Sequence, residues 1–218
     1  TLYYYGYDGA RYTFPNEKTF MTWRADFDDV ETISDSELAD ISLAGNVVYR
    51  PGSHWIKITS DAKTYAVSTD GMIHWIETED VAVDYAGDDW SDMIHDVPDV
   101  FFVDYTVGAS LETATAFDGA AYMSGDDTYL SWGGEMRMMT DDGMDANYYW
   151  DWMLLDGEGI DDSGLSAGDD IDSAECALFD IAQTGDCTEE EDDSDSAGDL
   201  EVSVSSDTAA SASVPNSA

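Results

Sequence analysis

Apolar and aromatic residues crowd both sides of Asp8-Gly9, from Leu2 to Tyr5 and from Tyr12 to Phe14. Two strand-forming runs broken by Asp-Gly predict a β-hairpin with a type I′ turn, because that turn needs two positive φ angles. Pro15 ends the second strand. Asn16 then offers an N-cap and Glu17 a first-turn carboxylate, so a short helix carries Phe20 and Trp23. Ser34 and Glu37 have capping-box spacing and start a second short helix, with Leu38 and Ile41 on its apolar side. Gly45 is expected to stop that helix and Val47–Tyr49 to follow as a strand. Pro51-Gly52 marks the next turn.

The pattern then returns. His54–Ile58 and Tyr65–Val67 read as strands, Asp70-Gly71 as a hairpin turn, and Thr78-Glu79 as cap and first turn. Trp90, Ile94 and Val97 follow as Phe27, Val30 and Ile33 do. Gly108 stands for Gly45 and Leu111 for Val48. A degenerate third pass runs through Tyr122-Met123, Asp126-Asp127, Gly134-Glu135, Trp150, Met153, Gly168 and Ile171, with Gly134 in the cap position. Gly9 to Gly71 and Glu17 to Glu79 each span 62 residues, Gly45 to Gly108 spans 63, and Gly108 to Gly168 spans 60. Landmarks that keep one period predict duplication. The expected fold is α+β and β-rich. It has three tandem hairpin–short helix–strand repeats of about 60 residues stacked into one body, plus a C-terminal extended tail strand.

The expected boundaries are 1–48, 49–111 and 112–171 for the three repeats, the last being degenerate. Residues 172–187 form a loop holding Cys176 and Cys187, a pair expected to close a short disulfide. Residues 188–199 are an acidic linker with almost no apolar residue. Residues 200–218 are the tail, in which Leu200–Ser205 alternates apolar and polar in strand fashion.

Charge changes the picture more than size does. The chain of 218 residues is 43% hydrophobic, with 7 Trp, 13 Tyr and 7 Phe, and is long enough to bury a core. It carries 49 acidic residues against 7 basic ones, a net charge of −42. Its only lysines are Lys18, Lys57 and Lys63. Such a surface repels itself over about 8–10 Å at ordinary ionic strength, and over only about 3 Å near 1 M salt. That favours a saline setting; neutralisation by divalent cations is the runner-up. Without basic clusters, nucleic acid is excluded as a partner. No apolar run reaches the length of a membrane span. The start at Thr1 suits a mature chain whose leader has been removed. With the cysteine pair, these features give an extracellular expectation.

RYTFPNEKTFMTW (Arg11–Trp23), TISDSELADISLAGNVVYRPG (Thr32–Gly52) and KITSDAKTYAV (Lys57–Val67) resemble a repeat region of secreted or cell-surface proteins of Patescibacteria, the candidate phyla radiation. The resemblance covers Tyr3–Leu111 well and Phe117–Ile171 loosely. LEVSVSSDTAASASVP, from Leu200, is similar to the opening of the Ig-like β domains that often follow in those proteins. The resemblance implies an envelope or extracellular location and no chemistry. The aspartate load here is the main departure from it.

No sequence motif for catalysis stands out, and a protein that is not an enzyme is expected. P-loop, GxGxxG and HExxH patterns are missing, and with 49 carboxylates no single pair singles itself out as an acid–base couple. His54, His74 and His95 are spaced so that they could converge, though three unrelated histidines explain them as well. Asp141, Asp142 and Asp145, and then Asp156, Asp161 and Asp162, lie beside glycines. They form candidate calcium ligands without EF-hand spacing, against a simpler reading as solvated acidic surface. Apart from calcium no cofactor is expected. Most Trp and Tyr positions follow core landmarks. Tyr3, Tyr4 and Tyr5 put aromatic side chains on both faces of one strand, so one face is a candidate partner surface.

The functional expectation is an extracellular structural subunit that self-assembles into a filament or surface layer, adapted to high salt. Its partners are copies of itself. Leu200, Val202 and Val204 would add as a strand to the next subunit, at the edge offered by Tyr3, Tyr4 and Tyr5. The alternatives are a monomeric envelope adhesin or carbohydrate-binding module contacting a cell-envelope glycan, and a calcium-dependent surface-layer subunit.

Overall fold

A computed structural model describes residues 1–181 and the strand Val202–Val204. The fold is α+β and strand-rich, with three sheets. The Leu200 contact, Cys187, the acidic linker 188–199 and the rest of the tail lie outside the described residues.

The first sheet is built on the expected hairpin. Strands β1 (Leu2–Tyr5) and β2 (Arg11–Thr13) pair antiparallel, Tyr4 opposite Tyr12. The turn differs from expectation. Only Gly9 takes a positive φ, and its N–H bonds back to the Gly6 carbonyl at 2.9 Å. The loop is therefore a four-residue turn ending in a left-handed glycine, not a two-residue type I′ turn. Asn16 caps α1 (Glu17–Phe20) by accepting the Thr19 N–H, as its sequence position requires. After β3 (Val30–Thr32), Ser34 and Glu37 form the full capping box of α2 (Asp35–Asp40). Gly45 does not stop this helix. It lies inside β4 (Leu43–Asn46), which runs parallel to β2, while Val47–Tyr49 is irregular, with Val47 and Tyr49 buried. With the C-terminal strand β14 (Val202–Val204), the sheet order is β3-β14-β1-β2-β4.

The second sheet has the order β8-β5-β6-β7-β9, formed by Ile94–Asp96, Trp55–Lys57, Tyr65–Val67, Met72–Trp75 and Thr106–Val107. Here Asp70 and Gly71 both take positive φ, 57° and 62°, and the Met72 N–H returns to the Thr69 carbonyl. That is the type I′ geometry Asp-Gly favours. Thr78 caps α3 (Glu79–Ala86) through the Val81 N–H, and the helix buries Val81, Ala82 and Tyr85. In the third sheet, β10 (Ala121–Ser124), β11 (Asp127–Trp132) and β12 (Glu135–Met139) form a meander, and β13 (Ser166–Ala167) adds parallel to β12. Gly134 is not a cap. It sits with Gly133 in the tight turn between β11 and β12, both at positive φ. The cap is Thr140, which opens α4 (Asp141–Ala146) by accepting the Gly143 N–H.

Apolar side chains collect in four adjoining clusters. One holds Tyr4, Phe14, Phe20, Trp23, Val47 and Phe179 beneath the first sheet. Another joins the second and third sheets through Trp55, Tyr85, Phe117, Tyr122 and Leu155. The backbones meet closely there. A Cβ on Gly52 would fall 1.8 Å from the Gly119 carbonyl oxygen, so both glycines are needed for the approach.

Candidate functional site

Two places hold the residues that sequence and geometry single out. The first is the edge of β1. Tyr4 points into the core, where its hydroxyl donates to the Phe179 carbonyl at 2.6 Å. Burial pushes its pKa well up. Tyr3 stacks under the Arg11 guanidinium at 5.2 Å, and Tyr5 is 39% exposed. Alternation thus splits the three tyrosines between the two faces of the strand.

Strand β14 pairs antiparallel with this edge, with Val204 opposite Leu2, Ser203 opposite Tyr3 and Val202 opposite Tyr4. Its other side pairs parallel with β3, Ser203 opposite Glu31. Val202 and Val204 thus pair at backbone level with the tyrosine strand, whereas the expectation is addition to the next subunit. In this single chain the pairing is made within the chain and not between two chains.

The second place is a cavity of about 1000 Å³ where segments from all three sheets meet. Met21, Arg24 and Ala25 follow α1; His54, Ala86, Asp89, Asp92 and Met93 come from around the second sheet; Met123 and Trp150–Trp152 with Leu154–Asp156 come from the third. One wall is a stack of rings. Trp150 and Trp152 lie 5.8 Å apart at 14°, Trp152 and His54 4.6 Å apart at 16°, and His54 and His95 3.7 Å apart at 26°. The His54 ring also contacts the Met93 carbonyl through Nδ1 at 3.2 Å, and His95 Nδ1 lies 3.3 Å from the Tyr49 hydroxyl. Burial lowers both histidines. His95 falls to about 4, with neighbouring His54 adding to the effect. Two of the three histidines thus converge, face to face and not around a common point. His74 stands apart, its Nδ1 2.7 Å from the Ala109 carbonyl.

Beneath this wall is a hub that sequence reading missed. Arg50 is 1% exposed. Its guanidinium donates to the carbonyls of Asn147 and Tyr148 at 2.6 and 2.7 Å, and lies 4.3 Å from the centre of the Tyr149 ring. Burial lowers its pKa from the ordinary value. Arg24 lies over Tyr148 at 4.5 Å. The available signal was scarcity: with so few cations in the chain, each arginine is a candidate fastener.

Of the aspartates proposed for calcium, Asp141, Asp142 and Asp145 lie on α4, and the other three accept local hydrogen bonds. Asp141 and Asp142 sit in the first turn of α4, where a helix favours negative charge. Asp156 accepts the Glu158 N–H, Asp161 the Ser163 N–H, and Asp162 the Tyr122 hydroxyl. The Ser163 bonds hold Asp161 below the usual carboxylate range. Among the described residues no three His, Cys, Asp or Glu side chains gather as a metal site. Cys176 opens a short 3-10 turn and is not a free thiol. Among the described residues no helix is long and apolar enough to cross a membrane. Comparison with protein-family models, curated proteins and solved structures finds no match.

Proposed function

We propose that this chain is an extracellular structural subunit, built from three copies of one unit, that assembles by exchanging its C-terminal strand between copies. The observation that carries the reading is the position of β14 in the first sheet. In the second sheet, Ile56 of β5 lies between Tyr65 and His95, antiparallel to one and parallel to the other. In the third, Tyr122 of β10 lies between Tyr129 and Leu155 in the same senses. Ser203 lies between Tyr3 and Glu31 in those senses again. The register agrees further along. Tyr3, Tyr65 and Tyr129 face Thr13, Trp75 and Met138, and the N–H groups of Val47, Leu111 and Ile171 bond to the carbonyls of those three partners. In two sheets the strand in this position comes from the segment just before the hairpin. In the first it comes from far downstream, beyond the whole body of the chain.

A strand reached through a long connection forms the same bonds with its own chain or with a neighbour. Which form prevails depends on concentration and on the connecting segment. Exchange in one direction around a ring, or along an open line, gives a head-to-tail assembly. The Cys176–Cys187 pairing would fix where the connection leaves the body, and the acidic load suits brine. Neither the adhesin nor the calcium reading accounts for the matched register of β14.

The test uses light scattering and negative-stain imaging of the full chain in molar salt. Long assemblies are expected for the natural sequence. A Val202→Pro/Val204→Pro variant, which cannot donate ladder bonds from those positions, should keep its circular dichroism spectrum and stay small. A wild-type particle that remains at the 23.8 kDa of one chain overturns the proposal, as do assemblies that survive the proline pair.

A further inference from the structure

We infer that the cavity between the three sheets binds an organic cation with an apolar body. Its size, about 1000 Å³, is in the range of ligand sites and not of packing defects. Its floor is Met21, Met93, Met123, Leu154 and Leu155, which offers carbon contacts and adaptable thioethers. Trp150 and Trp152 supply aromatic surface, and Trp152 is 40% exposed. Around this surface stand Asp89, Asp92, Asp151 and Asp156, all exposed at the rim. The one arginine of the lining has its guanidinium over the Tyr148 ring.

The lining discriminates among ligand classes. An anion would meet four carboxylates and the field of a −42 chain. A sugar would find acceptors in the rim carboxylates but few donors, since among the described residues the lining contains no Asn, Gln, Ser, Thr or Tyr and its floor is methionine and leucine. The sugar hydroxyls would be pressed against that floor and lose their water. The stacked neighbours of Trp152 also occupy the ring faces on which a sugar would lie. A cation with an apolar body satisfies both halves of the site. Its carbons cover the methionines and the open edges of the indoles, and its charge faces the carboxylates.

The acidic surface would attract any cation weakly, so the test is made near 1 M salt, where screening over about 3 Å leaves only charges in contact. The full chain is titrated calorimetrically with benzyltrimethylammonium chloride. Saturable binding at one site is expected. Asp89→Asn/Asp92→Asn should weaken it at least tenfold. Asp35→Asn/Asp40→Asn removes the same charge on distant α2 and should change it less than twofold. Benzyl alcohol and maltotriose should each bind at least tenfold more weakly than the cation. Lack of saturation, equal losses in the two double variants, or sugar binding as tight as the cation would each overturn the assignment. A circular dichroism spectrum shared by all the variants keeps misfolding from passing for either result.

Discussion

At the scale of single residues, the arginines are spent on structure. Arg11 binds the Leu38 and Ile41 carbonyls and closes the end of α2 onto β2. Arg137 pairs with Glu175 through both terminal nitrogens, at 2.6 and 2.5 Å, and reaches the Asp169 carbonyl. Arg50 and Arg24 hold the aromatic hub between the first sheet and the 147–149 segment. A planar fork that stacks on rings and donates to two carbonyls at once is something lysine does not supply. Arg50→Ala is therefore expected to cost at least about 3 kcal/mol, from a cavity plus two carbonyls left without a donor. Arg50→Lys should recover less than half of that loss. Urea unfolding at fixed molar salt measures both, and a lysine variant as stable as the natural chain would show that charge alone suffices there.

At the scale of elements, legibility followed the range of the interaction. The caps at Asn16, Ser34 and Thr78 were readable because each side chain bonds a backbone N–H three residues on. The Asp70-Gly71 turn was readable because its dipeptide nearly dictates the φ angles. The parallel strands β4, β9 and β13 were not. They are two to four residues long, largely exposed, and defined only by a partner some thirty residues upstream. Period counting puts the third cap at Gly134, but Gly133-Gly134 is the turn between β11 and β12 and the cap comes later, at Thr140. The alternation of Leu200–Ser205 made β14 visible; the ring-lined cavity stayed hidden because its wall joins His54 to Trp152 across the fold. That wall gives a pH prediction. His54 precedes β5 and His95 lies on β8, two paired strands. Groups facing the pair are Lys18, which disfavours protonation, Asp96, which favours it, the Tyr49 hydroxyl and the Met93 carbonyl. His95 titrates near 4 when folded, below its ordinary 6.5. The neutral form is thus the one the fold prefers, so its contribution is complete above about pH 6.5 and is lost as pH falls toward 4. Melting temperatures from pH 7.5 to 4.0 should fall more steeply for the natural chain than for His95→Gln, which cannot acquire the charge. Parallel profiles would remove the stacked pair as the cause.

At the scale of the whole molecule, the opposing forces are an interior rich in aromatic contacts and a surface of one sign. The described residues hold two ion pairs, Lys57–Asp96 at 3.6 Å on the surface and Arg137–Glu175 at 2.5 Å. With 49 acidic residues, most carboxylates have no cation beside them, so local pairing does not offset their mutual repulsion. The elements at the sheet edges feel this most. Helix α2 buries no side chain and carries Asp35, Glu37 and Asp40, and its capping box is a local hold against a surrounding field. Unfolding spreads these charges apart, so repulsion favours the unfolded chain, and any ion that screens it favours the fold. The melting temperature is accordingly expected to climb steeply between about 0.1 M and 1 M KCl, over which the screening length drops from about 10 Å to about 3 Å, and then to flatten. Potassium and sodium chloride should act alike at equal ionic strength, because screening does not distinguish them. A small amount of calcium that reproduced the whole effect of molar KCl would mean bound cations rather than screening. A melting temperature indifferent to salt would mean that the acidic surface is not what limits this fold.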